Sequence, residues 1–83
     1  MTETIIGIDG MMCSMCEAHI NDAIRKHFSV KSAKSDRRKK RCVVVSEEPL
    51  DEAKVQQVIS ETGYEFLSFE SKPYQKKGFL GLF

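Results

Sequence analysis

Apolar residues recur along this chain at two spacings, and the order of these spacings leaves few possible folds. Strand-like runs rich in β-branched and apolar residues lie at 4–8, 30–35, 42–45 and 64–69. Helical spacing of i, i+3, i+4 and i+7 occurs twice, in stripes formed by Ile20, Ala23, Ile24, His27 and Phe28 and by Val55, Val58, Ile59 and Thr62. The predicted element order is therefore β-α-β-β-α-β.

This element order predicts the architecture, because each β-α-β unit takes a right-handed crossover and two such units close into one sheet. We expect an α+β, ferredoxin-like β-α-β-β-α-β sandwich, with a four-stranded antiparallel sheet and two helices on one face. The 83 residues leave room for one domain, which we place at 1–71. Residues 72–83 form a C-terminal tail, basic and then apolar, that we expect to be flexible and to lie beyond the fold.

The ends of both predicted helices carry recognisable capping residues. Ser14 and Glu17 have the spacing of a capping box, with Ser14 as the N-cap of the first helix. Asp51 is the expected N-cap of the second helix, and Gly63 the residue that follows its last turn. The turn between the two middle strands, within 36–40, lacks the glycine that a tight hairpin prefers.

Composition excludes several classes of protein. No apolar run approaches the roughly 18 residues of a membrane-spanning helix, so we expect no transmembrane segment. The N-terminal residues lack the pattern of a signal peptide, and three cysteines are an odd number for a disulfide-stabilised secreted domain. We therefore expect a cytoplasmic protein with reduced thiols. Cys42, within a valine-rich strand, is interpreted as a small core residue, and His27 as a partly buried structural residue.

The net charge of +1 hides a strong charge asymmetry. Residues 31–41 contain seven Lys or Arg against one Asp, whereas residues 42–70 contain seven carboxylates against one Lys. The basic run 37–41 resembles a nucleic-acid patch, but no aromatic residue is interleaved to stack on bases. We interpret the run as a solvated turn or an electrostatic docking surface, and we expect no nucleic-acid partner.

Two cysteines carry the chemistry of this sequence. Cys13 and Cys16 form a C-x-x-C motif between the first strand and the first turn of the first helix. The positive end of the helix dipole stabilises a thiolate at such a position. Two soft sulfur ligands suit a soft d10 cation, Cu(I) above all, while Zn(II) would need two further ligands. Zn(II) or another soft divalent metal stays open at this point.

Residues 10–16, GMMCSMC, resemble the G-M-x-C-x-x-C signature of the heavy-metal-associated domain family. That family comprises small copper chaperones and the N-terminal domains of copper-transporting P-type ATPases, and the similarity runs over about residues 3–70. It implies Cu(I) held by Cys13 and Cys16, Met11 as a buried support beneath the loop, and Tyr64 beside the metal-binding loop. Met12 departs from the commoner Thr or Ser.

Three further residues are candidates for a role at the site. Ser14 would support the loop through the helix cap. Met15, by its thioether, and His19, one helical turn after Cys16, are candidate extra ligands.

We predict a non-enzymatic metallochaperone that binds Cu(I) and transfers it by ligand exchange. The expected partner is a copper-transporting P-type ATPase or another C-x-x-C domain, and a metal-bridged homodimer is a further arrangement left open. One alternative is a thiol–disulfide oxidoreductase, although no Trp precedes the first cysteine. Another alternative is a module that binds Zn(II), Cd(II) or Hg(II). A last alternative is an RNA-recognition module, which has the same element order, but the middle strands of this sequence lack the aromatic pairs that stack on bases.

Overall fold

The computed structural model describes residues 1–74, and its elements follow the predicted order. They are β1 (Thr2–Asp9), α1 (Ser14–His27), β2 (Ser32–Asp36), β3 (Arg41–Ser46), α2 (Glu52–Glu61) and β4 (Glu65–Pro73). Among the described residues, no helix is long and apolar enough to cross a membrane.

The four strands form one sheet in the order β2-β3-β1-β4, and each neighbouring pair is antiparallel. In β1, Ile6 lies opposite Cys42 on one side and Phe69 on the other. The end of β1 therefore lies between the β2–β3 hairpin and the start of β4. This is the predicted ferredoxin-like sandwich.

The core lies between one face of the sheet and the two helices. It consists of alternate strand residues and the apolar stripes of both helices: Ile6, Ile8, Ala33, Cys42, Val44, Ile20, Ile24, Val55 and Ile59. The Cys42 side chain is fully buried, which confirms its interpretation as a core residue. Burial also raises the pKa of the Cys42 thiol, so this thiol stays protonated and unreactive.

The predicted cap of α1 is wrong. Cys13, not Ser14, is the N-cap residue, and no side chain caps this helix end. Glu17 does not reach back to the cap, because its carboxylate accepts hydrogen bonds from the Arg37 backbone N–H at 2.7 Å and from the Arg37 guanidinium at 3.2 Å. A charged partner on the neighbouring hairpin replaces the local capping box.

The predicted boundaries of α2 are confirmed. The Asp51 carboxylate accepts a hydrogen bond from the Ala53 backbone N–H at 3.0 Å, as an N-cap side chain does. Gly63 follows the C-cap Thr62 with a φ of 92°, a left-handed conformation in which a side chain would be strained.

Two smaller predictions are corrected. His27 is exposed and does not take part in the core. β4 continues through Pro73, so the sheet includes the first two residues of the predicted tail, and the Tyr74 N–H donates to the Met1 carbonyl at 3.0 Å. The rest of the tail prediction, from residue 75 onward, lies outside the described residues.

The β2–β3 turn forms without glycine. The Asp36 carboxylate accepts hydrogen bonds from the backbone N–H groups of Arg38 at 2.9 Å and Lys39 at 3.1 Å. Both hydrogen bonds lower the pKa of the Asp36 carboxyl, and the bond from Lys39 has the larger effect. Lys40 takes the left-handed conformation, with a φ of 55°. Its carbonyl accepts a hydrogen bond from the Ile8 backbone N–H at 2.8 Å, which fixes the hairpin beside the end of β1.

Candidate metal centre

The loop that carries the two cysteines begins where β1 ends. The Gly10 N–H donates to the carboxylate of Asp9 at 2.9 Å, and Gly10 takes a φ of 103°. A Cβ at this position would also lie 3.3 Å from the Tyr64 ring. Glycine therefore lets the chain leave β1 directly beneath Tyr64.

The first turn of α1 brings the two cysteines together. The Cys13 carbonyl accepts hydrogen bonds from the N–H groups of Cys16 at 3.0 Å and Glu17 at 3.3 Å. The two sulfur atoms lie 3.9 Å apart, with Cys13 exposed and Cys16 half-buried, and they form no disulfide. Two sulfurs that bind one ion at about 2.3 Å each are at most about 4.6 Å apart, so this spacing fits a single shared metal ion.

The surroundings of Cys16 favour its thiolate. The pKa of this thiol falls from 9.0 to about 7, first because the Tyr64 hydroxyl donates to the sulfur and then because of backbone hydrogen bonds from Met12 and Cys13. The same contact raises the pKa of Tyr64, since the hydroxyl is stabilised as a donor. The thiolate form of Cys16 is therefore accessible near neutral pH.

The three methionines of the loop lie in different environments. Met11 is buried, with 9% of its surface exposed, and packs in the core cluster beneath the loop. Met12 and Met15 are 84% and 67% exposed, which places them beside the cysteines on the surface. Ser14 is exposed and caps nothing.

His19 is exposed on α1 and does not join the cysteines. Within residues 1–74, no three side chains among His, Cys, Asp and Glu lie close enough together to hold a metal ion. In this part of the chain, the structure brings Cys13, Cys16, Met11 and Tyr64 together and leaves His19 apart.

The sequence did not predict the contacts that Glu17 and Asp9 make with the basic hairpin. Glu17 follows Cys16 and anchors Arg37, and Asp9 precedes Gly10 and lies 3.7 Å from the Lys40 amine. Both contacts attach the basic hairpin to the cysteine loop. The only signal in the sequence was the basic run itself, which does not show where its partners lie.

Comparisons with known proteins agree with this geometry. The profile of the heavy-metal-associated domain matches residues 5–65. A copper binding domain from HMA7, a P-type ATPase, is 26% identical and has a TM-score of 0.71, with 84% of this chain and 99% of that chain covered. The copper chaperone of Enterococcus hirae, in its apo form, is 28% identical, with a TM-score of 0.65 and coverage of 83% and 98%.

The N-terminal domain of ZntA in its Zn(II) form shares the fold, at 19% identity and a TM-score of 0.69, with 90% of this chain and 97% of that chain covered. No curated protein matched the sequence.

Proposed function

The chain belongs to the heavy-metal-associated domain family, and on that basis we propose that it binds Cu(I) through Cys13 and Cys16 and passes the ion to a partner domain. The observation that carries this proposal is the 3.9 Å separation of the two sulfurs at a helix N-terminus. One of the two thiols already has its pKa lowered to about 7. Copper binding needs thiolates, and Cys16 supplies one near neutral pH.

The donor set favours Cu(I) over Zn(II). The described residues offer two thiolates and no third His, Cys, Asp or Glu beside them. Zn(II) sites in proteins usually have four ligands, whereas soft thiolate pairs select Cu(I). The similar structures support the choice, because two of them are named as a copper binding domain and a copper chaperone. Zn(II), named for ZntA, is the second candidate metal.

The exposure of the two cysteines suggests the order of transfer. A partner thiolate forms a new bond to the ion, and the bond to exposed Cys13 then breaks and frees the Cys13 thiolate. Cys16, half-buried and hydrogen-bonded to Tyr64, releases the ion in a second exchange. No electron is transferred, and no substrate bond other than metal–sulfur changes, so the protein acts as a carrier and not as an enzyme. A copper-transporting P-type ATPase or another C-x-x-C domain fits as the acceptor.

A competition titration tests the proposal. The reduced protein, titrated anaerobically with Cu(I) against a chromogenic chelator, should bind one ion per chain. Cys13→Ser and Cys16→Ser should each lower the affinity by more than about 100-fold, since loss of a ligand costs more than loss of an outer-shell contact. Cys42→Ala is the matched control and should bind as the wild type does. Equal binding by all three variants would contradict the proposal.

Thiol–disulfide exchange is the second candidate function, because it also requires a thiol whose pKa lies near neutrality. Reduction of insulin by the metal-free protein distinguishes the two. We expect only the background rate, and a rate abolished by Cys16→Ser would favour the oxidoreductase instead.

A further inference from the structure

The sheet has an open face on the side away from the two helices. Side chains alternate between the two faces of a strand, and Ile5, Val43 and Val45 alternate with the buried residues of β1 and β3. Ile5 lies directly opposite Val43 across the two central strands. Within residues 1–74, no helix or further strand lies on this side. The middle of the open face is therefore apolar.

Leu67 adds a fourth apolar side chain to the open face. It is the extra residue of a bulge in β4, because Gly7 pairs with Ser68 whereas Ile8 pairs with Phe66. A Cβ on Gly7 would lie 3.2 Å from the Leu67 Cβ, so the Leu67 side chain lies over the glycine, and it is 48% exposed. We name these four residues the open-face patch: Ile5, Val43, Val45 and Leu67.

The segment that follows β4 has the composition to cover such a patch. Residues 75–83, outside the described residues, have the sequence QKKGFLGLF. Four of the five residues at 79–83 are Phe or Leu, and two lysines precede them. Burial of large apolar side chains is favourable in proportion to the area removed from water. This segment therefore gains free energy from any apolar surface within its reach.

The open-face patch is within that reach. β4 ends beside the start of β1, where Pro73 pairs with Thr2 and the Tyr74 N–H donates to the Met1 carbonyl at 3.0 Å. From Met1 to Gly7, β1 rises about 20 Å, whereas nine residues can span about 30 Å. Residues 75–83 are therefore long enough to reverse direction and cross the patch.

Charges near the start of this segment favour the sheet over a lipid surface. Glu3 and Glu70 are on the open face by strand alternation, and they provide carboxylates for the two lysines at 76–77. Glu47 and Glu48 are exposed at the same end of the sheet, directly after β3. An anionic membrane would be repelled by this acidic end of the molecule.

We propose that residues 75–83 fold back over the open face of the sheet and bury their apolar side chains on the open-face patch. The sheet then has the two helices on one face and this segment on the other. The contact does not depend on copper, because the patch lies on the face away from α1, which carries Cys16. It is also formed within one chain and should not change on dilution.

Proton NMR of the metal-free wild type tests the contact directly. Nuclear Overhauser effects should connect the rings of Phe79 or Phe83 with the methyl groups of Ile5, Val43 or Val45, and these effects should persist on dilution. If no such effect joins residues 79–83 to the open-face patch, the proposal is wrong.

Urea denaturation of variants tests the same contact through stability. F79S/F83S should lower the folding equilibrium constant about tenfold, since part of the apolar area of two rings returns to water. In a V43T/V45T background the same change should cost less than about threefold, because residues in contact do not contribute additively. Val30→Thr is the control background, since Val30 packs against the core cluster, and there the full effect should remain. Equal losses in the two backgrounds would overturn the proposal.

Sedimentation with phosphatidylserine vesicles examines the other surface that an apolar segment can enter. We expect the wild type and F79S/F83S to stay equally in solution, because the apolar side chains are already buried on the sheet. Binding of the wild type to vesicles that is lost in F79S/F83S would assign residues 75–83 to a membrane and overturn their docking on the sheet.

Discussion

Tyr64 connects the end of α2 to the chemistry of the cysteine loop. Its hydroxyl donates to the Cys16 sulfur, and its ring lies against Gly10, where the chain leaves β1. The thiolate is therefore stabilised by a residue that is 48 positions away in the sequence. The family resemblance placed Tyr64 beside the loop, but only the structure shows which sulfur it contacts.

Substitution of Tyr64 by Phe should raise the pKa of the Cys16 thiol from about 7 toward 9.0, because the largest stabilising contact is removed. The ultraviolet absorbance of the thiolate, followed against pH in the metal-free protein, measures this shift. Tyr74→Phe is the control and should leave the titration unchanged. An unchanged titration in Tyr64→Phe would show that the backbone hydrogen bonds stabilise the thiolate alone.

The lowered pKa also has a consequence for stability. Between about 7 and 9.0 the unfolded chain keeps the Cys16 proton that the folded chain has lost. Stability of the metal-free protein should therefore increase with pH across this window, and this contribution should disappear as pH falls through 7. Chemical denaturation at several pH values measures it, and Tyr64→Phe should flatten the dependence.

At the scale of elements, the β2–β3 hairpin and α1 are joined by Glu17 and Arg37. The Glu17 carboxylate is only 21% exposed, and it satisfies a backbone N–H of the hairpin turn as well as a guanidinium. If the Glu17 carboxylate is removed, the half-buried Arg37 N–H is left without this hydrogen-bond acceptor.

Glu17→Ala should lower the free energy of unfolding by about 1–2 kcal/mol, since a charge-assisted hydrogen bond to a half-buried amide is removed. Ser14→Ala should change it by less than about 0.5 kcal/mol, because Ser14 caps nothing in this structure. Urea denaturation of the two variants compares them directly. A larger loss of stability in Ser14→Ala than in Glu17→Ala would contradict this account and favour a capping box formed by Ser14 and Glu17.

Local signals in the sequence predicted most of the elements. The order of strands and helices follows from apolar periodicity, and the ends of α2 follow from Asp51 and Gly63, whose roles depend on adjacent residues. The cap of α1 could not be predicted, because the Glu17 carboxylate accepts a hydrogen bond from Arg37, which is 20 residues away in the sequence. The length of β4 depends on its pairing with β1, in which Pro73 lies opposite Thr2, and no local pattern shows this.

At the scale of the whole molecule, the core and the cysteine loop are largely separate. The core cluster contains isoleucines and valines from both helices and from β1 and β3. Among the described residues, Met11 and the half-buried Cys16 and Tyr64 connect it to the loop. The fold therefore does not depend on a metal ion for its main hydrophobic contacts. The sequence could predict the two sulfurs from their spacing, but not the position of the basic β2–β3 hairpin beside them, which comes from strand order.

The metal-free protein should consequently unfold cooperatively, and one equivalent of Cu(I) should raise its melting temperature. A ligand at 100 to 1,000 times its dissociation constant adds about 3–4 kcal/mol to stability. Calorimetry of the wild type and of Cys13→Ser/Cys16→Ser measures both effects, and the variant should melt near the metal-free wild type with no response to copper. A disordered metal-free protein would contradict this separation of core and loop.

X-ray absorption at the copper edge of the loaded protein is the most direct measurement of the central proposal. We predict copper in the Cu(I) state with sulfur as its only neighbouring ligand atom, and loss of this signal in Cys13→Ser/Cys16→Ser but not in Cys42→Ala. Nitrogen or oxygen ligands in place of sulfur, or an unchanged spectrum in the double variant, would contradict the assignment of Cys13 and Cys16 as the site that carries the ion.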